Sequence, residues 1–463
     1  MKINYFNFKE FHSKVLLTND LGKFLFLEKE DFKKLVEKKL DPDSDIGKEL
    51  TNAQMMYQES NLLFSKENEY QLRESKSHLA AATALHIFVV TTACNLSCIY
   101  CQANNGTKTP NCFMDTDTAE RAVEIALQSP EWNLSFEFQG GEPLLNFQVI
   151  KHIIIYAEEH NKNHRIAYSV VSNLTLLTDE MIDFFAEYHV SISTSLDGGE
   201  IQHNNNRPFK NGDGSFEIVK NKIDYLKEKE ISLGAIQTTT LTSLNYAKEI
   251  VDTYVALGFD SIFIRHLTQL GKAQKNWDKI GYTAEQYLNF YKEAIDYIID
   301  RNINGINIKE QHAAILLKRM HGQRTNYMEL RSPCGAGIGQ LAYFADGRIF
   351  TCDEGRMLAE MGNDGFLLGN VRKDTYSSII ENKVCKAACA ASILETIPSC
   401  CDCVYQPYCG VCPVVNYSIG EDLLEKEPRS YRCRIYSGML DYLFGLYYDN
   451  SVSVVNVLNN WSK

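Results

Sequence analysis

Through the middle of the chain, short runs rich in β-branched and aromatic residues alternate with longer stretches whose apolar positions recur at helical spacing. The runs are LHIFVVTT (85–92), LSFEFQ (134–139), IAYSVVS (166–172), VSISTSL (190–196), LGAIQTTT (233–240) and SIFIRHL (261–267). Six βα units in series predict parallel strands joined by right-handed crossovers, an α/β fold of the partial (β/α)6, TIM-like barrel type. In such barrels the residues that leave the strands gather on one rim. Here CNLSCIYC follows the first run, GGEPLLN the second, SNL the third, and SLDG ends the fourth.

The flanks read differently. Within residues 1–80, KVLLTNDLGKFLFLEKEDFKKLVEKKL predicts two strands joined by an Asn-Asp-Leu-Gly turn and then a Glu/Lys-rich amphipathic helix, a small α+β domain. Residues 81–325 would form the barrel. Residues 326–463 are rich in Gly, Cys and Tyr with short elements, the kind of small core that metals staple. The chain carries neither a solenoid-type repeat nor a low-complexity tract.

With 463 residues, 44% hydrophobic and 23% charged, burial is not limiting and two or three domains are expected. The net charge of -12 argues against a nucleic-acid partner, because such binding rests on Lys and Arg neutralising phosphates. No apolar run approaches the roughly 20 residues that span a bilayer, and the charged start MKINYFNFKEFHSK has no export-signal core. The expectation is a cytoplasmic protein with no membrane partner. In that compartment the 14 cysteines read as metal ligands or catalytic thiols. They cluster accordingly: Cys94, Cys98 and Cys101, then Cys112, then ten from Cys334 onward.

Cys94-x3-Cys98-x2-Cys101 lies on the loop leaving the first predicted strand. Three thiolates hold three irons of a [4Fe-4S] cube and leave the fourth iron open to bind and activate a ligand. A zinc site or buried thiols are the bland alternative. In Gly140-Gly141-Glu142-Pro143 the glycines would let backbone approach a ligand, and the carboxylate could accept from an ammonium group.

At these residues the sequence resembles the radical SAM superfamily. CNLSCIYC is similar to its CxxxCxφC loop, with Tyr100 as the aromatic φ, and the likeness runs from residue 85 to about 270. It implies that the amino and carboxylate groups of S-adenosylmethionine (SAM) chelate the open iron. An electron then splits SAM, and the 5'-deoxyadenosyl radical takes a hydrogen from a substrate. GGEP resembles the motif that holds SAM's amino group. Ser172, Asn173, Ser195 and Asp197 stand where similar enzymes hold SAM's ribose and carboxylate, and Arg207 in HNNNRP resembles their arginine after SLDG. Capping or turn roles suit the Ser, Asn and Asp residues equally.

The C-terminal cysteines resemble the SPASM extension of radical SAM peptide and protein maturases. The pattern is Cys334-x12-Gly347-x4-Cys352, then Cys400-x2-Cys403-x5-Cys409-x2-Cys412, then Cys433. The resemblance implies two auxiliary [4Fe-4S] clusters, three in all. Cys334, Cys352 and Cys412 would hold the nearer one, and Cys400, Cys403, Cys409 and Cys433 the outer one. The family more often has three residues before the cysteine matched by Cys412, and the nearer cluster lacks a matched fourth ligand. Cys385, Cys389, Cys401, solvent or substrate could supply it. Two CxxC units five residues apart also suit zinc, and Cys112 reads as a buried free thiol. Asp353 stands where sulfatase-maturing relatives carry a proton-accepting aspartate, although an acidic turn residue is equally at home in water.

LHIFVVTTACNLSCIYCQA, FEFQGGEPLLNF, GAGIGQLAYFADGRIFTCDEGRMLAEMG and CVYQPYCGVCPV look like the maturase of the His-Xaa-Ser system. That resemblance implies a ribosomally made precursor peptide as substrate, side-chain crosslinking as the reaction, a flavodoxin- or ferredoxin-type reductant, and a paired maturase as a further partner. Formylglycine-type oxidation of a Ser or Cys is the alternative chemistry, and a non-catalytic iron-sulfur peptide-binding scaffold the alternative class.

Overall fold

The computed structural model describes residues 2–57, 62–103, 111–323, 325–424 and 430–463. All six expected strands are present: Leu85–Thr91, Asn133–Gly140, Arg165–Val171, Ser191–Ser195, Leu233–Thr238 and Ser261–Arg265. They lie side by side in chain order, every pair parallel. A seventh short strand, Lys309–Glu310, extends the far edge in parallel. This is the partial α/β barrel read from the alternation of runs.

Strand Asn133–Gly140 shows why the barrel faces as it does. Leu134, Phe136 and Phe138 are buried towards the helices, whereas Ser135, Glu137 and Gln139 alternate with them on the other face. The apolar stripes of Thr116–Ala126 and Phe147–His160 cover that outer layer through residues such as Ala122, Val123, Ile150 and Ile154. Caps fix where the helices begin. Asp115 accepts from the Thr118 N–H at 2.7 Å, and Thr283 and Gln286 close a capping box at the start of Ala284–Ile303.

The sheet does not stop at the barrel. Gln340–Tyr343 pairs in parallel with Leu85–Phe88, and Arg348–Phe350 and Leu367–Asn370 follow it antiparallel, giving ten strands in one sheet. The Cys-rich region is thus built directly onto the first barrel strand. Short-range patterning gave no sign of this, because the pairing joins residues some 255 positions apart.

The N-terminal region holds the two expected strands, Lys14–Thr18 and Phe24–Glu28, joined by Asn19-Asp20-Leu21-Gly22 and followed by the helix Lys29–Val36. A third strand, Asn7–Phe11, completes a small antiparallel sheet at its edge. Gly22 is in the left-handed region (φ 76°), and a Cβ there would stand 2.6 Å from the Arg319 carbonyl oxygen. The sheet packs on the C-terminal helix Tyr431–Asp449, with Phe24 and Phe26 against Phe444. Full burial of Phe444 stabilises this contact by roughly 1.5–3 kcal/mol.

Glu310 ties the last barrel strands to the helix Gln311–Met320 that follows. Its carboxylate accepts from the N–H groups of Ile264 (3.0 Å), His312 (3.1 Å) and Ala313 (2.6 Å) and from the Tyr291 hydroxyl (2.8 Å). Burial nonetheless pushes its carboxyl up to about 7. Glu310→Ala leaves several buried donors without an acceptor, each costing about 1–3 kcal/mol. The expected result is a destabilisation of roughly 3–5 kcal/mol, read as a lower denaturation midpoint, whereas a shift below about 1 kcal/mol would mean water replaces the carboxylate.

Candidate active site

The loop leaving Leu85–Thr91 carries Cys94, Cys98 and Cys101 to the barrel rim. Burial first, and then the neighbouring thiols, push Cys94 up to about 12 and Cys101 up to about 11. Burial also raises Cys98, against the pull of the Arg207 guanidinium, whose Nη1 lies 4.0 Å from its sulfur. Three thiols held together in this way are costly as isolated thiolates. Bound iron keeps coordinating thiols deprotonated, so the donor set fits a cluster.

The GGEP turn is bound to this loop by backbone. The Gly141 N–H donates to the Thr91 carbonyl and the Glu142 N–H to the Ala93 carbonyl, both at 2.8 Å. A Cβ on Gly140 would stand 2.3 Å from the Thr91 oxygen, and one on Gly141 2.3 Å from the Ala93 oxygen. The close approach that demands glycine here is therefore to the cysteine loop. Glu142, 1% exposed, accepts from the Leu144 N–H (3.1 Å), the Ser172 hydroxyl (2.7 Å) and the Asn173 N–H (2.8 Å). Burial pushes its carboxyl up to about 7 despite those bonds. Pro143 opens the short turn that follows. Asn173 in turn donates to the Asn95 side chain at 3.0 Å, closing a ring from the second and third strand ends back to the cysteine loop.

A second network forms on the other side of the loop. The Tyr100 hydroxyl donates to Asp197 at 2.5 Å, and Arg207 Nε donates to the same carboxylate oxygen at 3.0 Å. The Arg207 guanidinium also stacks over the Tyr100 ring, 5.1 Å from its centroid. Asp197 is fully buried, and its other oxygen accepts from the Thr238 N–H at 3.1 Å. Ser195 ends the fourth strand close by and is partly exposed.

The C-terminal cysteines fall into two groups in space. Cys334, Cys352 and Cys412 share one apolar cluster and one cavity. Burial and then nearby negative charge raise Cys352 and Cys412. Cys409 gathers Cys403, Cys433 and Cys400 around it, and burial followed by those thiols pushes it up to about 12. Cys412 thus sits with Cys334 and Cys352 although it is only three residues from Cys409. Among the described residues no three His, Cys, Asp or Glu side chains close on a point as ligands of a single ion do. Thiolates of a four-iron cube each take a different iron and stand farther apart than that.

The outer group is gripped by the N-terminal sheet. Asn7 donates to the Cys403 carbonyl (3.0 Å), Thr18 to the Val404 carbonyl (2.6 Å) and Lys9 to the Tyr405 hydroxyl (2.7 Å). Cys112, expected as a buried thiol, is only half-buried; what holds it is backbone, through Thr91 and Thr92.

Asp353 opens the helix Asp353–Glu360 beside Cys352 and is paired with Arg356 Nε at 2.7 Å. Arg356 also binds Glu360 (2.8 Å) and donates to Gln139 (3.2 Å), which donates to Glu137 (2.6 Å). This chain carries Asp353 to the inner face of the second barrel strand. Sequence reasoning missed Glu137, Gln139 and Arg356, although the polar alternation within NLSFEFQG, read as an inward face, signals the first two. It also missed Arg265, Glu329 and Arg432. Arg265 meets Glu329 at 2.6 Å and Arg432 meets it at 3.5 Å, forming a half-buried bridge from the last barrel strand to the Cys-rich region.

A parallel partial barrel with three thiols on the loop after its first strand, backed by a glycine-acid turn, defines a class of protein built to hold a cluster and a ligand at one rim. Residues 88–254 match the Radical SAM superfamily. A protein of Methanocaldococcus jannaschii is 36% identical over 176 residues, 38% of this chain and 60% of that protein's length. The cysteine-type anaerobic sulfatase-maturating enzyme of Clostridium perfringens is 23% identical over 387 residues, 81% of this chain and 98% of the enzyme. In fold the chain is similar to anSMEcpe with bound AdoMet (TM-score 0.67, 21% identity, 82% of this chain and 100% of that one). It is also similar to Streptococcus suis SuiB bound to the precursor peptide SuiA (TM-score 0.56, 15% identity, 91% and 97%). Among the described residues no helix is long and apolar enough to cross a membrane.

Alanine at position 141 would press on the Ala93 carbonyl and displace the cysteine loop. Anaerobically reconstituted Gly141→Ala is expected to bind about four fewer irons than the parent while its far-ultraviolet circular dichroism stays that of a folded chain. Unchanged iron content would show that the loop absorbs the displacement.

Proposed function

We propose that the protein is a radical SAM maturase that modifies a ribosomally made precursor peptide, forming a side-chain crosslink. The observation that carries this reading is one shared cavity. Its lining joins Gln102, next to Cys101, and Thr268, beyond the last barrel strand, to Cys334, Cys352 and Cys412. That cavity would hold the cluster of those three thiols, and a substrate on its barrel side would lie between this cluster and the Cys94–Cys101 loop, with Asp353 at the barrel edge.

A cluster on Cys94, Cys98 and Cys101, reduced by a flavodoxin- or ferredoxin-type protein, would supply the electron that splits SAM into methionine and a hydrogen-abstracting 5'-deoxyadenosyl radical. Clusters on Cys334, Cys352 and Cys412 and on Cys400, Cys403, Cys409 and Cys433 would take away the electron left over when the peptide radical couples. The chain's own residues do the positioning. Backbone at Gly140 and Gly141, together with Ser172 and Asn173, shapes the shelf for SAM's amino and ribose groups, with Glu142 as its buried anchor. Tyr100, Asp197 and Arg207 lock the other wall, where Ser195 and Arg207 would meet the ribose and carboxylate. Asp353, held by Arg356, would take the proton released as the new bond forms. The peptide thus loses two hydrogens, one to the radical and one as this proton.

The resemblance to the His-Xaa-Ser maturase supports a His-Xaa-Ser repeat peptide as substrate, with a paired maturase as partner. Formylglycine formation is the second reading, favoured by the placement of Asp353 directly after Cys352 and by the end-to-end match to the sulfatase-maturating enzyme. Incubation of the enzyme with SAM, dithionite and such a peptide separates them. A crosslink gives a loss of two hydrogens with no backbone fragments between the joined residues, whereas formylglycine gives an aldehyde that a hydrazine probe captures. Asp353→Asn, whose amide cannot accept the proton, is expected to keep forming 5'-deoxyadenosine while peptide product falls at least about tenfold. An unchanged yield would remove Asp353 from the chemistry.

Residues 1–80 are proposed to recognise the precursor, by strand addition at the edge strand Asn7–Phe11. A groove beside that strand is lined by Lys9, Phe11, His12, Lys292 and Tyr442, which supports this reading. Because the same sheet grips the Cys403–Tyr405 loop, a chain starting near Leu79 is expected to lose about four irons as well as peptide affinity measured by fluorescence anisotropy. Full iron content and undiminished affinity together would place recognition elsewhere.

A further inference from the structure

We propose that Glu354 is the fourth ligand of the cluster on Cys334, Cys352 and Cys412, giving that cluster three thiolates and one carboxylate. The inference rests on the reading above that these three thiols hold a four-iron cube. A cube offers four irons and this site offers three matched thiols, so one iron needs another donor.

The cysteines that could have filled the place do not line the cavity that the three thiols share. Cys385 packs its sulfur onto Gly337, where a Cβ would stand only 2.5 Å away, and has Cys389 and Lys386 as charged neighbours. Cys389 has the Arg331 guanidinium beside it. Cys401 donates to the Asp402 side chain, 2.7 Å away in the exposed part of its loop.

Glu354 lies in the first turn of Asp353–Glu360, two residues beyond Cys352, and lines the cavity that the three thiols share. Its charge reaches Cys334, Cys352 and Cys412 alike. Every guanidinium near it is already committed. Arg265 and Arg432 pair with Glu329, and Arg356 pairs with Asp353 and Glu360. Glu354 is half-buried, and among the described residues its carboxylate has no ion pair or side-chain hydrogen bond; the donor it meets is its own backbone N–H. A carboxylate partly withdrawn from water and facing a cavity with no cation of its own gains from a metal partner, and carboxylate oxygens are ordinary ligands of iron. The other donors lining the cavity fit less well. Glu329 is taken by two arginines, and the Met328 sulfur is packed against Gly335 and Gly339. Gln340 is neutral.

The test uses the full chain with Cys94, Cys98 and Cys101 replaced by Ala, which leaves only the auxiliary sites. After anaerobic reconstitution this parent is expected to hold about eight irons; about four would mean that the nearer cluster itself is absent, and the underlying reading would fail. With about eight in hand, electron paramagnetic resonance of the dithionite-reduced parent should be indifferent to added cyanide, because every iron has a protein ligand. In Glu354→Ala one of the two auxiliary signals should change and shift further with cyanide. Glu354→Cys should abolish the cyanide response. Loss of about four irons in Glu354→Ala, restored in Glu354→Cys, would support the same assignment. Identical spectra for the parent and Glu354→Ala, or a cyanide response already present in the parent, would overturn it.

Discussion

The parallel pairing of Leu85–Phe88 with Gln340–Tyr343 is the contact on which the rest of the molecule depends. The strand Leu85–Thr91 delivers Cys94, Cys98 and Cys101 to the rim from its C-terminal end, and its other edge carries the hairpin that leads into Cys352 and Asp353. Backbone hydrogen bonding fixes strand separation at about 4.8 Å. The distance between the two thiol groups is therefore set by a rigid ladder rather than by a linker. An independently tethered domain could not hold Asp353 to Gln139 through Arg356 in this way, since inter-domain interfaces within a chain are free to move by default.

Ion pairs reinforce that ladder at two places. Asp197–Arg207 locks the wall behind the cysteine loop, and Arg265–Glu329–Arg432 spans from the last barrel strand to the Cys-rich region. The buried Asp197–Arg207 pair adds little net stability over apolar packing, but removing one partner strands the other and costs about 3–5 kcal/mol. The effect of both is to specify one arrangement of the site. Glu354 stands out against this pattern, because the neighbouring carboxylates Asp353, Glu360 and Glu329 all have arginine partners.

The N-terminal sheet has a structural part as well as the recognition part proposed for it. Three of its side chains hold the main chain or the tyrosine of the 403–405 loop, and its aromatic face covers Phe444. A loop that presents several thiols to one cluster is rich in backbone polar groups that need partners. Here two strands some 390 residues away in sequence supply partners for two of them.

The sequence by itself determined the six barrel strands, the N-terminal turn and the grouping of motifs at strand ends. These are local signals: periodicity over five to eight residues, turn chemistry, and cysteine spacing within single loops. It also signalled that Cys94, Cys98 and Cys101 act together, because they share one loop. The grouping of Cys412 with Cys334 and Cys352 is already what the resemblance implies, and the fold brings the three to one cavity. Only the tertiary structure decided that GGEP spends its glycines on the Thr91 and Ala93 carbonyls and that Arg356 links Asp353 to the barrel. It alone brought Glu354, two residues past Cys352 and silent in any motif, into the cavity of the three thiols. The physical reason is that these relations are set by strand pairing and burial between segments tens to hundreds of residues apart, and such contacts leave no periodicity in the chain that makes them.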